Sequence, residues 1–133
     1  MNGHIGQIED PTRDNQHYRR VLFTAKHSQL VLMNLKPGEE IGEEVHGMDQ
    51  FIRFEEGEGT VVLDGEKHAV SDGFAVVIPA GTRHNVVNSG KTAALKLYSL
   101  YSPPEHKDGI IHKTKQEADA DHDHHFDGRT SMK

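Results

Sequence analysis

Side chains with metal-binding donors recur at spacings that a folded chain can bring together. Between Gly38 and Gly57, the residues Glu44, His46, Met48 and Gln50 follow one another at every second position. A β-strand alternates its side chains from face to face, so these four would project to one side. Glu44, His46 and Gln50 carry oxygen or nitrogen donors suited to a divalent metal. A further donor must come from elsewhere, and the segment Pro79-Ala80-Gly81-Thr82-Arg83-His84 supplies it. Proline and glycine fix a tight turn there, after which His84 opens a new strand. Two neighbouring strands then bring its imidazole opposite His46. Asp49 rivals Gln50 for the last position, but its parity points it away.

The elements that must hold these residues read as short apolar runs separated by turn residues, the pattern of an all-β sandwich or barrel. Val21 to Thr24 and Gln29 to Leu35 are the first two runs, and Pro37-Gly38 closes the second. Thr60 to Leu63 and Glu66 to Val70 flank Asp64-Gly65, a two-residue loop of the type I′ hairpin class. Phe74 to Ile78 is a continuous apolar run ended by Pro79 and Gly81. His84 to Val87 and Thr92 to Tyr101 complete a set of about nine strands. Phe51, Ile52 and Phe54 are expected in the core. The divisions are a loosely held polar arm over 1–18, the barrel over 19–104, and a polar, histidine-rich tail over 105–133. That tail is expected to be mobile or partly helical, with a short helix within Lys113 to Ala120 and one packing point at Phe126.

Bulk properties narrow the function classes. With 133 residues the chain has room for one core. No apolar run is long enough for a membrane span. Met1 to Pro11 lacks the basic and apolar segments of a signal peptide, and there is no cysteine, so a cytoplasmic protein is expected. The same lack of cysteine excludes disulfides and Cys-based zinc sites. A net charge of −6, with Lys and Arg scattered, disfavours nucleic-acid partners.

The spacings as a whole resemble those of the cupin family. Its first motif reads G-x5-H-x-H-x3-4-E-x6-G, and Gly38, Glu44, His46, Gln50 and Gly57 keep every gap. Its second reads G-x5-P-x-G-x2-H-x3-N, and Gly73, Pro79, Gly81, His84 and Asn88 match in gap and residue type. The resemblance spans about residues 20–102 and is nearest to the small single-domain cupins, some labelled mannose-6-phosphate isomerase-like. It implies a double-stranded β-helix, a jelly-roll-like barrel, with a metal inside. Glu44 stands where the family usually has its first histidine, and Gln50 where it usually has glutamate. The carboxylate has moved, yet the ligand set keeps one negative charge. Glu44, His46 and His84 form a 2-His-1-carboxylate set suited to Fe(II), and also to Mn, Co, Ni or Zn.

The resemblance implies a metal-dependent enzyme acting on a small organic molecule, of dioxygenase or isomerase type. The alternative is a non-catalytic module that binds or senses a metal or small ligand. Genuine phosphomannose isomerase activity is not expected, because Arg53 and Arg83 are the only local cations for a phosphate. Those two arginines and Met48 are candidates to touch substrate, and Tyr98 and Tyr101 are candidate acid–base groups. His27, His68, His106 and His112 lack ligand spacing and read as surface residues. His122-Asp123-His124-His125 is a second, loose metal-binding candidate. Small cupins commonly pair by sheet extension, so a homodimer is implied, with Arg20 to Thr24 as the strand that crosses.

Overall fold

The short apolar runs pair into two antiparallel sheets, and the computed structural model describes residues 2–133. In chain order the elements are α1 (Glu9–Asp14), β1 (Arg19–Thr24), β2 (Gln29–Leu35), β3 (Asp49–Glu56), β4 (Glu58–Leu63), β5 (Glu66–Ser71), β6 (Ala75–Ile78), β7 (His84–Val87), β8 (Leu95–Ser102), β9 (Ile111–His112) and α2 (Lys115–Ala120). One sheet runs β6-β3-β8-β2-β1-β9 and the other β5-β4-β7. The β4–β5 hairpin turns at Asp64-Gly65, whose φ values of 48° and 84° are those of a type I′ turn. No helix among the described residues is long and apolar enough to cross a membrane.

The two sheets enclose one core. Val31, Met33 and Leu35 of β2, Ile52 and Phe54 of β3, and Leu95 and Leu97 of β8 meet Val61 of β4 and Val86 of β7. Period-two alternation selects these residues, and it also decides what lies beyond them toward one end. On β3 the inward row runs Phe54, Ile52, Gln50. On β8 it runs Leu95, Leu97, Ser99, Tyr101, and the register sets Gln50 beside Tyr101. On β7 it runs Val86, His84. All three rows turn from apolar to polar at the same end of the barrel. Phe51 falls on the other face of β3, half-buried against Tyr98, so it leaves the expected core set.

The outer parts are tied down. The expected arm forms α1, where Thr12 is fully buried, Arg13 Nε donates to the Glu55 carbonyl at 3.3 Å, and Lys96 Nζ reaches the Arg13 carbonyl. Met1, its first residue, lies outside the described residues. Of the two alternatives for 105–133, mobile or partly helical, the structure contains the helical one, and the segment is held along its length. β9 pairs with β1, Phe126 N–H donates to the Glu105 carbonyl, and Ser131 N–H to the Thr24 carbonyl. Sequence composition hid this because the ties are backbone hydrogen bonds and polar contacts, not an apolar stripe. β1, the strand expected to cross to a partner, has Arg19 and Arg20 paired with β9 of its own chain.

Two motif residues hold the frame and touch no ligand donor. Asn88 Nδ2 donates to the carbonyls of Leu35 and Ala93, at 2.9 and 3.0 Å, and its Oδ1 accepts from Gly90 N–H. Gly57 has φ +98°, and a Cβ there would intrude on the Ala94 carbonyl oxygen and lie 3.1 Å from Leu95 Cα. Gly57→Ala is therefore expected to cost about 2–4 kcal/mol in urea denaturation. Gly65→Ala, at φ +84° in open space, should cost only about 1 kcal/mol.

Candidate metal centre

The candidate ligands are brought together by backbone pairing. Residues 38–44 run antiparallel along the free edge of β7, bridging Glu40 to Val87 and Glu44 to His84 with Gly42 between them. Glu44 N–H donates to the His84 carbonyl and His84 N–H to the Glu44 carbonyl, both at 2.9 Å. Residues that exchange both bonds sit directly opposite one another, so their side chains share a face. Gly81 N–H donates to the His46 carbonyl at 2.9 Å, which clamps the Pro79–His84 turn against the same segment. The chain then bends at Gly47-Met48 before β3 begins at Asp49. Glu44 to Gln50 is thus not the one continuous strand that the alternation predicts. It changes sheets at the bend, and the donors converge across that corner.

Ligand atoms of Glu44, His46 and His84 all lie within 4.8 Å of one another, so the triad could hold a metal ion. His84 is 5% exposed at the back of the site, His46 is half-buried, and Glu44 is exposed. The imidazole centroids are 4.7 Å apart at 69°. Each imidazole is anchored by a backbone carbonyl at Nδ1: His46 by Met48 O at 3.1 Å and His84 by Thr82 O at 2.8 Å. Such a bond fixes the proton on Nδ1 and leaves the Nε2 lone pair free, the arrangement typical of metal-ligating histidine.

Gln50 completes the set. Its Nε2 donates to Ser99 Oγ at 3.1 Å and to Tyr101 Oη at 3.3 Å, so its Oε1 faces His46 Nε2 at 3.3 Å. In the neutral imidazole that carries its proton on Nδ1, these facing atoms are both acceptors. A divalent cation held by both atoms would satisfy the two lone pairs together. Transition metals accept this donor set of two imidazoles, a carboxylate and an amide oxygen. The residues present therefore fit the implied metal.

The other candidates are placed differently. Met48 packs half-buried on the core and gives its carbonyl to His46. Asp49 clamps the turn by accepting from Ala80 N–H at 2.8 Å. Arg53 pairs with the buried Glu55 at 3.1 Å, and Arg83 with Glu43 at 3.4 Å on the surface. Tyr98 faces out of β8, whereas Tyr101 is buried with its ring 6.2 Å from His46. Burial pushes the Tyr101 phenol well above its ordinary range, so it stays neutral.

A cavity of about 420 Å³ opens against Glu44 and His46. Its near wall includes Glu44, His46 and Tyr101, and its far wall Arg19, Glu105, His106, His124 and His125. His106 and His112, expected at the surface, are 3% and 5% exposed. The folding back of 105–133 buries them, which no ligand spacing could reveal. His106 Nδ1 meets His124 Nδ1 at 3.1 Å, and His112 Nε2 meets Asp121 Oδ2 at 2.9 Å. His124 and His125 thus belong to the wall of this cavity, while His122 is exposed. Period two on β8 signals Ser99 and Tyr101; nothing comparable signals Arg19.

Residues 31–101 match the family described as Cupin domain. YrkC of Bacillus subtilis is 46% identical over 126 residues, which is 90% of this chain and 67% of that protein. A protein of Acanthamoeba polyphaga mimivirus is 45% identical over 113 residues, or 81% and 70% of the two chains. A crystal structure of a Bacillus halodurans protein, 45% identical, superposes with a TM-score of 0.86 over 89% of this chain and 94% of that one.

The far wall carries a pH signature. Burial, reinforced by the Arg19 charge, pushes the His106 imidazole down to about 2. Below its ordinary pKa of about 6.5 the unfolded chain takes up a proton that the folded chain refuses, so stability falls as pH falls. This group alone gives a slope of up to about 1.4 kcal/mol per pH unit below that point. Urea denaturation of metal-stripped protein between about pH 7.5 and 5 should show the loss, and His106→Gln should flatten it. An unchanged slope in that variant contradicts the assignment.

Proposed function

The chain belongs to the cupin family, and on that premise we propose that it is a metal-dependent enzyme acting on a small organic molecule. Glu44, His46, Gln50 and His84 are its proposed ligands for one divalent transition metal. The strongest support for this reading is the convergence of Glu44, His46 and His84, whose ligand atoms all lie within 4.8 Å of one another, with Gln50 Oε1 3.3 Å from His46 Nε2. When bound, the ion supplies Lewis acidity and a position at which a small molecule is polarised.

The chain's own groups supply the remainder. Glu44 holds the only full negative charge of the set and offsets part of the ion's charge. Gln50 contributes a neutral oxygen, fixed by Ser99 and Tyr101. Because Tyr101 Oη accepts from Gln50, its own proton is free to be donated to a ligand oxygen in the cavity. Its raised pKa makes it a donor and not a base. The wall formed by 105–133 limits the access of water. Oxygen uptake separates a dioxygenase from an isomerase, and tight ligand binding without turnover would favour the binding module.

Protein purified without a histidine tag should carry about one equivalent of Fe, Mn, Ni, Co or Zn by elemental analysis. His46→Ala and His84→Ala should lose it, and Gln50→Ala should bind about tenfold more weakly. Stoichiometric metal in the His46→Ala/His84→Ala double variant sinks the reading. Tyr101→Phe should keep its metal and lose about 100-fold in turnover.

A further inference from the structure

Arg19 is 7% exposed and lines the cavity against Glu44 and His46, together with an adjoining one of about 300 Å³. Among the described residues it forms no ion pair with any carboxylate. Its Cζ lies 5.3 Å from the Tyr18 ring centroid, and its Nη1 meets His112 Nδ1 at 3.1 Å. His112 Nε2 in turn meets Asp121, so the imidazole is the neutral acceptor and Asp121 stands one residue removed. The guanidinium is thus held in place by a neutral group. A buried cation is normally matched by an anion, because desolvating it alone is costly.

The same wall holds further unmet capacity. Arg19 Nε, Glu105 Oε2 and His106 Nε2 are all buried without a hydrogen-bond partner, and all three residues line the one cavity. Leaving such atoms unpaired costs about 1–3 kcal/mol each. A ligand that brings an anionic oxygen and a second hydrogen-bonding oxygen recovers part of that. Glu43, Glu44 and Glu105 also line the cavity. Three carboxylates oppose a phosphate dianion and leave room for a singly charged group.

We propose that the cavity binds a small hydroxy- or oxo-monocarboxylate, with its carboxylate on Arg19 and its second oxygen directed toward the Glu44 and His46 side of the metal site. This rests on the metal reading above for the second oxygen, whereas the Arg19 contact stands on its own. His112 and Asp121 act as positioning residues for the guanidinium, so the C-terminal segment helps to build the ligand site.

Isothermal titration tests this on the metal-containing protein, with glycolate and pyruvate against their amides, glycolamide and pyruvamide. Each acid should bind at least about tenfold more tightly than its amide. Arg19→Gln should erase that preference with metal content unchanged, and Arg19→Lys should restore part of it, since it keeps the charge but loses the fork. Failure of either acid to bind, equal binding of acid and amide, or an unaltered preference in Arg19→Gln overturns the proposal. If a variant does not fold, the acid–amide comparison on the wild type decides. Absence of metal from the wild type would count against the metal reading alone, because the acid preference is still measured on that protein.

Discussion

The paired hydrogen bonds between Glu44 and His84 are the constraint on which the rest of the site depends. They join an irregular segment to the edge of β7 and put two donors of opposite character on one face. Without them Glu44 would be one more solvated acid beside Glu39, Glu40 and Glu43, apart from the two imidazoles. The Gly81–His46 bond extends the same clamp by one step and carries His46 into place. Backbone hydrogen bonds contribute only about 0.5–1.5 kcal/mol each to stability. Their value here is positional, since a ligand displaced by about 1 Å forfeits much of its effect.

Around that clamp the barrel grades from apolar to polar along its axis. Phe54, Ile52, Leu97 and Val86 fill one end, and Gln50, Ser99, Tyr101 and His84 occupy the other. The same alternation that builds the core therefore delivers the polar side chains to the site, at the end where the carbonyls of Met48 and Thr82 set both imidazole tautomers. The C-terminal segment then supplies the opposite wall. It brings His106, His112 and His124 close to Arg19, and burial next to that charge keeps His106 and His124 neutral.

Much of this was legible in the chain. β2 and β7 begin and end where the apolar runs do, and the Asp64-Gly65 turn has the backbone its residues require. The ten motif positions placed His84 at a strand start and Gln50 in the inward row. Alternation misled over Glu44 to Gln50, because the chain changes sheets at Gly47-Met48 and no residue pattern marks that corner. Arg19 and His112 meet although 93 residues apart. Contacts of that separation depend on how 105–133 folds back, which is decided by backbone pairing with β1 and not by composition. The anchoring groups of the two histidines are carbonyls, which every residue has and which no sequence distinguishes.

X-ray absorption of the bound metal, on protein carrying no added histidines, reads out which side chains ligate it. The expected ligands are two imidazole nitrogens with oxygen donors from Glu44 and Gln50, at about 2.0–2.2 Å. A shell of three or more imidazoles would place the metal among the C-terminal histidines and contradict it.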